Sequence, residues 1–202
     1  ESLSGNEEKV EIIDDNEEPG FPADIAGARD IIRLRAGEFS KSEAKSYIGY
    51  IDSNGNISGR MFDAVCLAPS SDIVDFSDIS GWNAYFSDIV TSASVLQSVA
   101  EEVYSFDGEL KLFVVLPYPS ISDSFGDING DGIIESSDSL EKRMDVLRWF
   151  IDRCNLYFSE NIHEKVSLSG FFWGVNEIDF NASSHEALLM KNTNAYIKDR
   201  GQ

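Results

Sequence analysis

The feature that most constrains this chain is an alternation of two patterns. Short, nearly continuous apolar runs of strand length take turns with longer stretches whose apolar residues recur every three or four positions. The short runs lie at 31–36, 61–68, 110–116 and 166–177. A strand that is apolar throughout is one buried on both faces, as in a parallel sheet with helices laid over it. After the first run, Ser40 and Glu43 form a capping-box pattern that opens a helix over 41–51. Trp82, Phe86, Ile89, Ala93, Leu96, Ala100 and Val103 then mark one face of a long helix. Leu140, Met144, Leu147, Ile151, Cys154 and Phe158 mark another, and Ser183 with Glu186 caps a last helix running toward Gln202. Turn residues separate the segments: Gly37, the polar stretch 53–59, Pro69, Asp107-Gly108 and Pro117-Tyr118-Pro119.

The pattern predicts an α/β chain of four consecutive βα units. That is half of a (β/α)8 TIM-type barrel or, with a short extra strand at 9–13, a small doubly wound parallel sheet. Residues 1–29 read as an acidic linker or tail and 30–202 as the domain. Four barrel strands leave two edges unpaired, so a second chain completing the barrel is an expected partner.

Composition narrows the function classes. With 42% apolar residues and thirteen Phe, the chain has the material for a packed core. Its net charge of −20, from 36 acidic against 16 basic residues, repels nucleic acid and anionic membrane and favours cations. No apolar run approaches the roughly 18 residues of a membrane span. The chain opens on Glu1 without a signal-peptide pattern, which suggests a processed chain. Cys66 and Cys154 fall in apolar surroundings and read as two buried free thiols.

The most complete local motif is 127–138. Asp127, Asn129, Asp131, Ile133, Glu135 and Asp138 occupy positions 1, 3, 5, 7, 9 and 12 of an EF-hand loop, with Gly132 at the turn position 6. Hard oxygen donors at that spacing wrap one Ca2+, Ile133 through its carbonyl and Glu135 directly or through water. The bland alternative is an acidic, glycine-rich loop without an ion. A weaker echo, Asp52-Ser53-Asn54-Gly55-Asn56-Ile57, puts Ile57 where glycine is needed and reads as an ordinary turn.

The second candidate is Asn176-Glu177, at the end of the last apolar run. The carboxyl end of a parallel strand is where α/β folds carry their chemistry. A carboxyl held there can act as a general acid/base beside a glycosidic oxygen. Asn176 would bond a sugar hydroxyl, and Trp173 or Tyr118 would offer a flat face for stacking. The alternative is a strand-end acid that caps the next helix or faces water.

Several stretches together carry a family resemblance. They are Phe62-Asp63-Ala64, Leu116-Pro117-Tyr118-Pro119, Arg143, Trp149-Phe150-Ile151-Asp152, and Gly170-Phe171-Phe172-Trp173 followed by Glu177. Over residues 30–202 the chain resembles the N-terminal half of a bacterial extracellular family catalogued as a domain of unknown function and regarded as glycoside-hydrolase-like. The resemblance implies an extracellular or cell-surface location and a polysaccharide or oligosaccharide partner. Asn-Glu ending a fourth strand is also similar to retaining (β/α)8 glycosidases, in which the Glu is acid/base and a second Glu, ending strand seven, is the nucleophile. On that likeness Glu177 is the acid/base and the nucleophile lies outside this chain. The loop 127–138 resembles the calcium loops of cellulosomal dockerins, which also close on Asp. A non-catalytic carbohydrate-binding scaffold and a calcium-dependent interaction module are the competing expectations.

Overall fold

A computed structural model describes residues 27–70, 75–104, 108–161, 164–174 and 185–200. The acidic stretch 1–26, with the short strand expected at 9–13, lies outside the described residues, as do Asn176, Glu177 and Ser183.

The chain is a mixed α/β fold around a four-stranded, all-parallel sheet. Strand β1 (Ile31–Arg35) is followed by helix α1 (Lys41–Ile48) and a hairpin of β2 (Gly49–Ile51) and β3 (Ile57–Arg60). Then come β4 (Ala64–Ala68), α2 (Ile79–Val103), β5 (Leu110–Leu116), α3 (Leu140–Glu160), β6 (Val166–Trp173) and α4 (His185–Lys198). The sheet order is β1-β4-β5-β6, while β2 and β3 pair antiparallel in a sheet of their own.

Four uninterrupted βα units are therefore not what the chain forms, because the hairpin separates α1 from the second parallel strand. The physical reason lies at 48–56. Gly49 takes an extended conformation and stops α1. Asp52 then accepts hydrogen bonds from the Asn54 and Asn56 amides, both at 2.8 Å. This closes a turn in which Gly55 sits at φ +83°. The apolar residues expected to extend α1 to residue 51 instead pair across the hairpin, β3 forms largely within the stretch expected as a loop, and the strand expected over 61–68 begins only at Ala64. Among the described residues the parallel sheet is open, with β1 and β6 at its edges.

Caps fix where the helices begin. At α1 the capping box forms as spelled: Glu43 N donates to Ser40 Oγ (3.3 Å) and Ser40 N to Glu43 Oε2 (2.8 Å). Asp78 accepts from the Ser80 amide at 2.7 Å to start α2, and Ser139 accepts from Lys142 N at 3.3 Å to start α3.

One face of the sheet carries the core. Leu34, Val65, Leu67, Leu112, Val114 and Leu116 meet Ile48 of α1, Trp82 and Ile89 of α2, Leu147 and Phe150 of α3, and Leu189 of α4. The opposite face holds a smaller cluster of Ala28, Ala64, Cys66, Ala68, Phe113 and Val115, with Ile31 and Phe172 against it. None of these residues belongs to a helix. Both cysteines are free and buried, Cys66 in the small cluster and Cys154 in the main core. Burial pushes the Cys66 thiol up to about 11, and the Cys154 thiol further still.

Candidate functional site

The carboxyl ends of the four parallel strands open into a cleft of about 490 Å³. Each strand delivers a residue to it: Arg35 ends β1, Pro69 follows β4, Pro117 follows β5 and Gly174 follows β6. Gly174 is forced by close approach, since a Cβ there would lie 2.5 Å from the Leu116 carbonyl oxygen. Its own N–H donates to that oxygen at 2.9 Å. Tyr85, fully buried on α2, braces the floor by sharing its hydroxyl between the carbonyls of Leu67 (2.7 Å) and Val115 (3.0 Å).

Tyr118 and Ser120 extend the lining on one side, and Arg33, Ser70, Asp75 and Phe76 on another. Tyr118 is held by two partners. The buried guanidinium of Arg143 donates to its hydroxyl at 2.5 Å, and the hydroxyl donates to Glu186 of α4 at 3.2 Å. Burial, with the Glu186 carboxylate nearby, raises the Tyr118 pKa, so the phenol stays neutral near pH 7. Trp173 is placed differently. It pairs in register with Leu116 and packs against the helix-covered core. The cleft thus takes Tyr118 from the expected aromatic pair and leaves Trp173 as a packing residue. Asn176 and Glu177 lie outside the described residues, three residues or fewer beyond Gly174 in sequence.

The carboxylate loop lies between β5 and α3 and lines a separate hollow with Ile128, Asn129 and Glu135. Asp127, Asp131 and Glu135 bring carboxylate oxygens within 4.8 Å of one another. Two oxygens on one Ca2+ can be no more than about 5 Å apart, given ligand distances of roughly 2.3–2.6 Å. The trio therefore fits a single calcium ion. The loop is built by its own side chains. Asp127 accepts from the Gly130 and Gly132 amides (2.6 and 2.8 Å), and Asn129 and Asp131 accept from the amides two residues on (2.9 and 2.8 Å). These bonds, Gly132's first, hold the Asp127 carboxyl below its ordinary range. Gly130 and Gly132 sit at φ +79° and +85°, which only glycine adopts without strain.

The sixth expected ligand stands apart. Asp138 lies one residue before the Ser139 cap and pairs with Lys142 one turn on, at 3.0 Å. Ile133 is exposed and donates its N–H to Asp131. The loop is tied to the cleft near its C-terminal end and to α2 just before its start. The Ser137 hydroxyl donates to the carbonyl of Ser120, a cleft residue, at 2.7 Å. Phe125 accepts from Ile79 N, at the start of α2, at 2.8 Å. The weaker echo at 52–57 is the β2–β3 hairpin turn.

The sequence reading passed over Arg33 and Arg35 as a site. The signal was present in β1, where Ile32 and Leu34 alternate with Ile31, Arg33 and Arg35. Period-2 alternation puts both arginines on the face away from the helices.

Residues 32–202 match the family described as Domain of unknown function (DUF4855), and the chain belongs to that family. No curated protein and no solved structure matches the chain.

Proposed function

We propose that this member of the family forms part of a secreted, glycoside-hydrolase-like (β/α)8 domain that acts on or binds polysaccharide and is stiffened by one calcium ion. The observation that carries the reading is the cleft at the carboxyl ends of the parallel strands, which β6 enters at Gly174 immediately ahead of Val175-Asn176-Glu177. Open α/β sheets and barrels bind their ligands at this end. Ser70 and Ser120 offer hydroxyl donors, and the Tyr118 ring offers the partial apolar face that a sugar requires. In this reading Glu177 is the acid/base and Asn176 orients a hydroxyl beside it. The nucleophile comes from the second half of the barrel, in this protein's own continuation or in a second chain.

Asp127, Asn129, Asp131 and Glu135, with the Ile133 carbonyl, would hold the calcium. The ion's part would be structural: its two positive charges would offset most of the repulsion among three converging carboxylates and stiffen the loop whose end anchors Ser120. Asp138 joins the ligand set only by leaving Lys142.

A second reading, a carbohydrate-binding scaffold without hydrolysis, is favoured by one observation. Asp75 is the only carboxylate among the described cleft residues, and both its oxygens are taken by the Ser77 amide and hydroxyl (2.8 and 2.9 Å).

The test is a glycan array followed by reducing-end assays, in calcium, on the complete barrel (this chain together with the half that carries the nucleophile) and on its Glu177→Gln variant. Binding with turnover lost in the variant supports the enzyme, and binding without turnover in either supports the scaffold. No binding to any glycan overturns both.

A further inference from the structure

Arg33 and Arg35 point to the charge of the ligand. They are exposed residues on one face of β1, in register with Cys66 and Ala68 of β4. Both line the strand-end cleft. In a chain with 36 acidic and 16 basic residues, cations are expected to find carboxylate partners. Arg60, Arg148 and Arg200 do so, with Asp63, Asp145 and Asp152. Among the described residues Arg33 and Arg35 have no ion pair, and Asp75 in the same cleft is turned to Ser77.

Two arginines, two residues apart on one face of a strand, suit the paired oxygens of a planar carboxylate or a tetrahedral sulfate, which Arg engages through paired N–H donors. The protein's overall negative field opposes an acidic polymer at long range. Recognition must therefore be made at contact distance inside the cleft, not by steering. A neutral sugar would give the two guanidinium groups no charged partner of its own, and an acidic sugar would supply one.

We propose that the cleft selects an anionic glycan, one whose sugar at the arginine pair carries a carboxylate or a sulfate. This rests on the reading of the cleft as a glycan site.

The experiment is titration calorimetry of the 202-residue chain in calcium with three probes of equal length: an oligogalacturonate, a chondroitin sulfate oligosaccharide and a cello-oligosaccharide. The expected result is binding of one or both acidic probes in preference to the neutral one. Arg33→Gln and Arg35→Gln each weaken that binding about tenfold, the usual loss for one charge-assisted contact. Arg148→Gln, remote from the cleft, leaves it unchanged, and thermal melts verify that every variant is folded. Equal or better binding of the neutral probe overturns the inference while leaving the glycan reading standing. So does undiminished binding of an acidic probe by the double arginine variant. Failure of all three probes overturns the inference together with the reading it rests on.

Discussion

Replacing Tyr85 with phenylalanine isolates one buried hydroxyl that joins the two central strands where the cleft begins. Tyr85 has no exposed surface, and its ring stacks on Phe150 at 5.7 Å with an interplanar angle of 15°. The substitution keeps that ring and removes only the oxygen shared by the Leu67 and Val115 carbonyls. Both carbonyls lie near strand ends followed by Pro69 and Pro117, which bring no N–H that could take over. Losing the bond and leaving a buried carbonyl without this donor costs about 1–2 kcal/mol. For a chain of this size that lowers Tm by roughly 2–8 °C. Urea unfolding should show a lower midpoint at an unchanged slope, since the surface exposed on unfolding is the same. Tyr85→Leu, which also removes the ring, should cost more, as large-to-small core changes do. A Tyr85→Phe midpoint equal to or above the parent's would refute the reasoning, because the carbonyls would then be satisfied without the tyrosine.

Three further outcomes are expected. Calcium at about 100 times its Kd should raise Tm by roughly 5–11 °C; Asp131→Ala should abolish the shift, and an equal shift in that variant would place the ion elsewhere. Hydrogen bonds lower the carboxyl pKa of Asp78, chiefly from Ser80, and of Glu43, chiefly from Ser40, below their ordinary values of 3.8 and 4.5. A depressed folded pKa stabilises above the unfolded value and is lost as pH falls through the folded one, so urea midpoints should fall as pH drops from about 5 through 3. Asp78→Asn should keep the cap and flatten that dependence, and an unchanged slope would count against Asp78 as a source. At pH 8 neither cysteine should react with a thiol reagent in the native protein, and both should react in denaturant, because burial disfavours each thiolate; fast native labelling of Cys154 would contradict its burial.

Elements whose cause is local were legible in the residues themselves. β5 spans Leu110–Leu116 as its apolar run and flanking Gly108 and Pro117 indicate. Helix α3 spans Leu140–Glu160, as its three-and-four spacing indicates. The capping box at Ser40 and Glu43 also formed as spelled. Periodicity and caps act over a few residues, so a short window contains them. In the loop 127–138 the glycine positions and oxygen-bearing side chains were likewise readable, because the side-chain bonds within it join residues two to seven apart.

What the residues did not reveal depends on pairing across long separations. Tyr50 and Ile51 continue the helix expected over 41–51, but the turn that Asp52 and Asn56 close pairs them as a strand of the hairpin. Trp173 looked available for stacking, but its register against Leu116 turned it into the helix-covered core. Asp138 matched the last ligand position, yet its place just before α3 aimed it at Lys142. The pairing of Arg33 with Cys66 and Arg35 with Ala68, across more than thirty residues, made a cleft wall of two side chains that looked like surface charges. The sequence alone thus determined the kinds of most elements and the turns of one loop. Only the tertiary structure decided which side chains share a face, because strand register and sheet order are set by contacts between segments far apart in the chain.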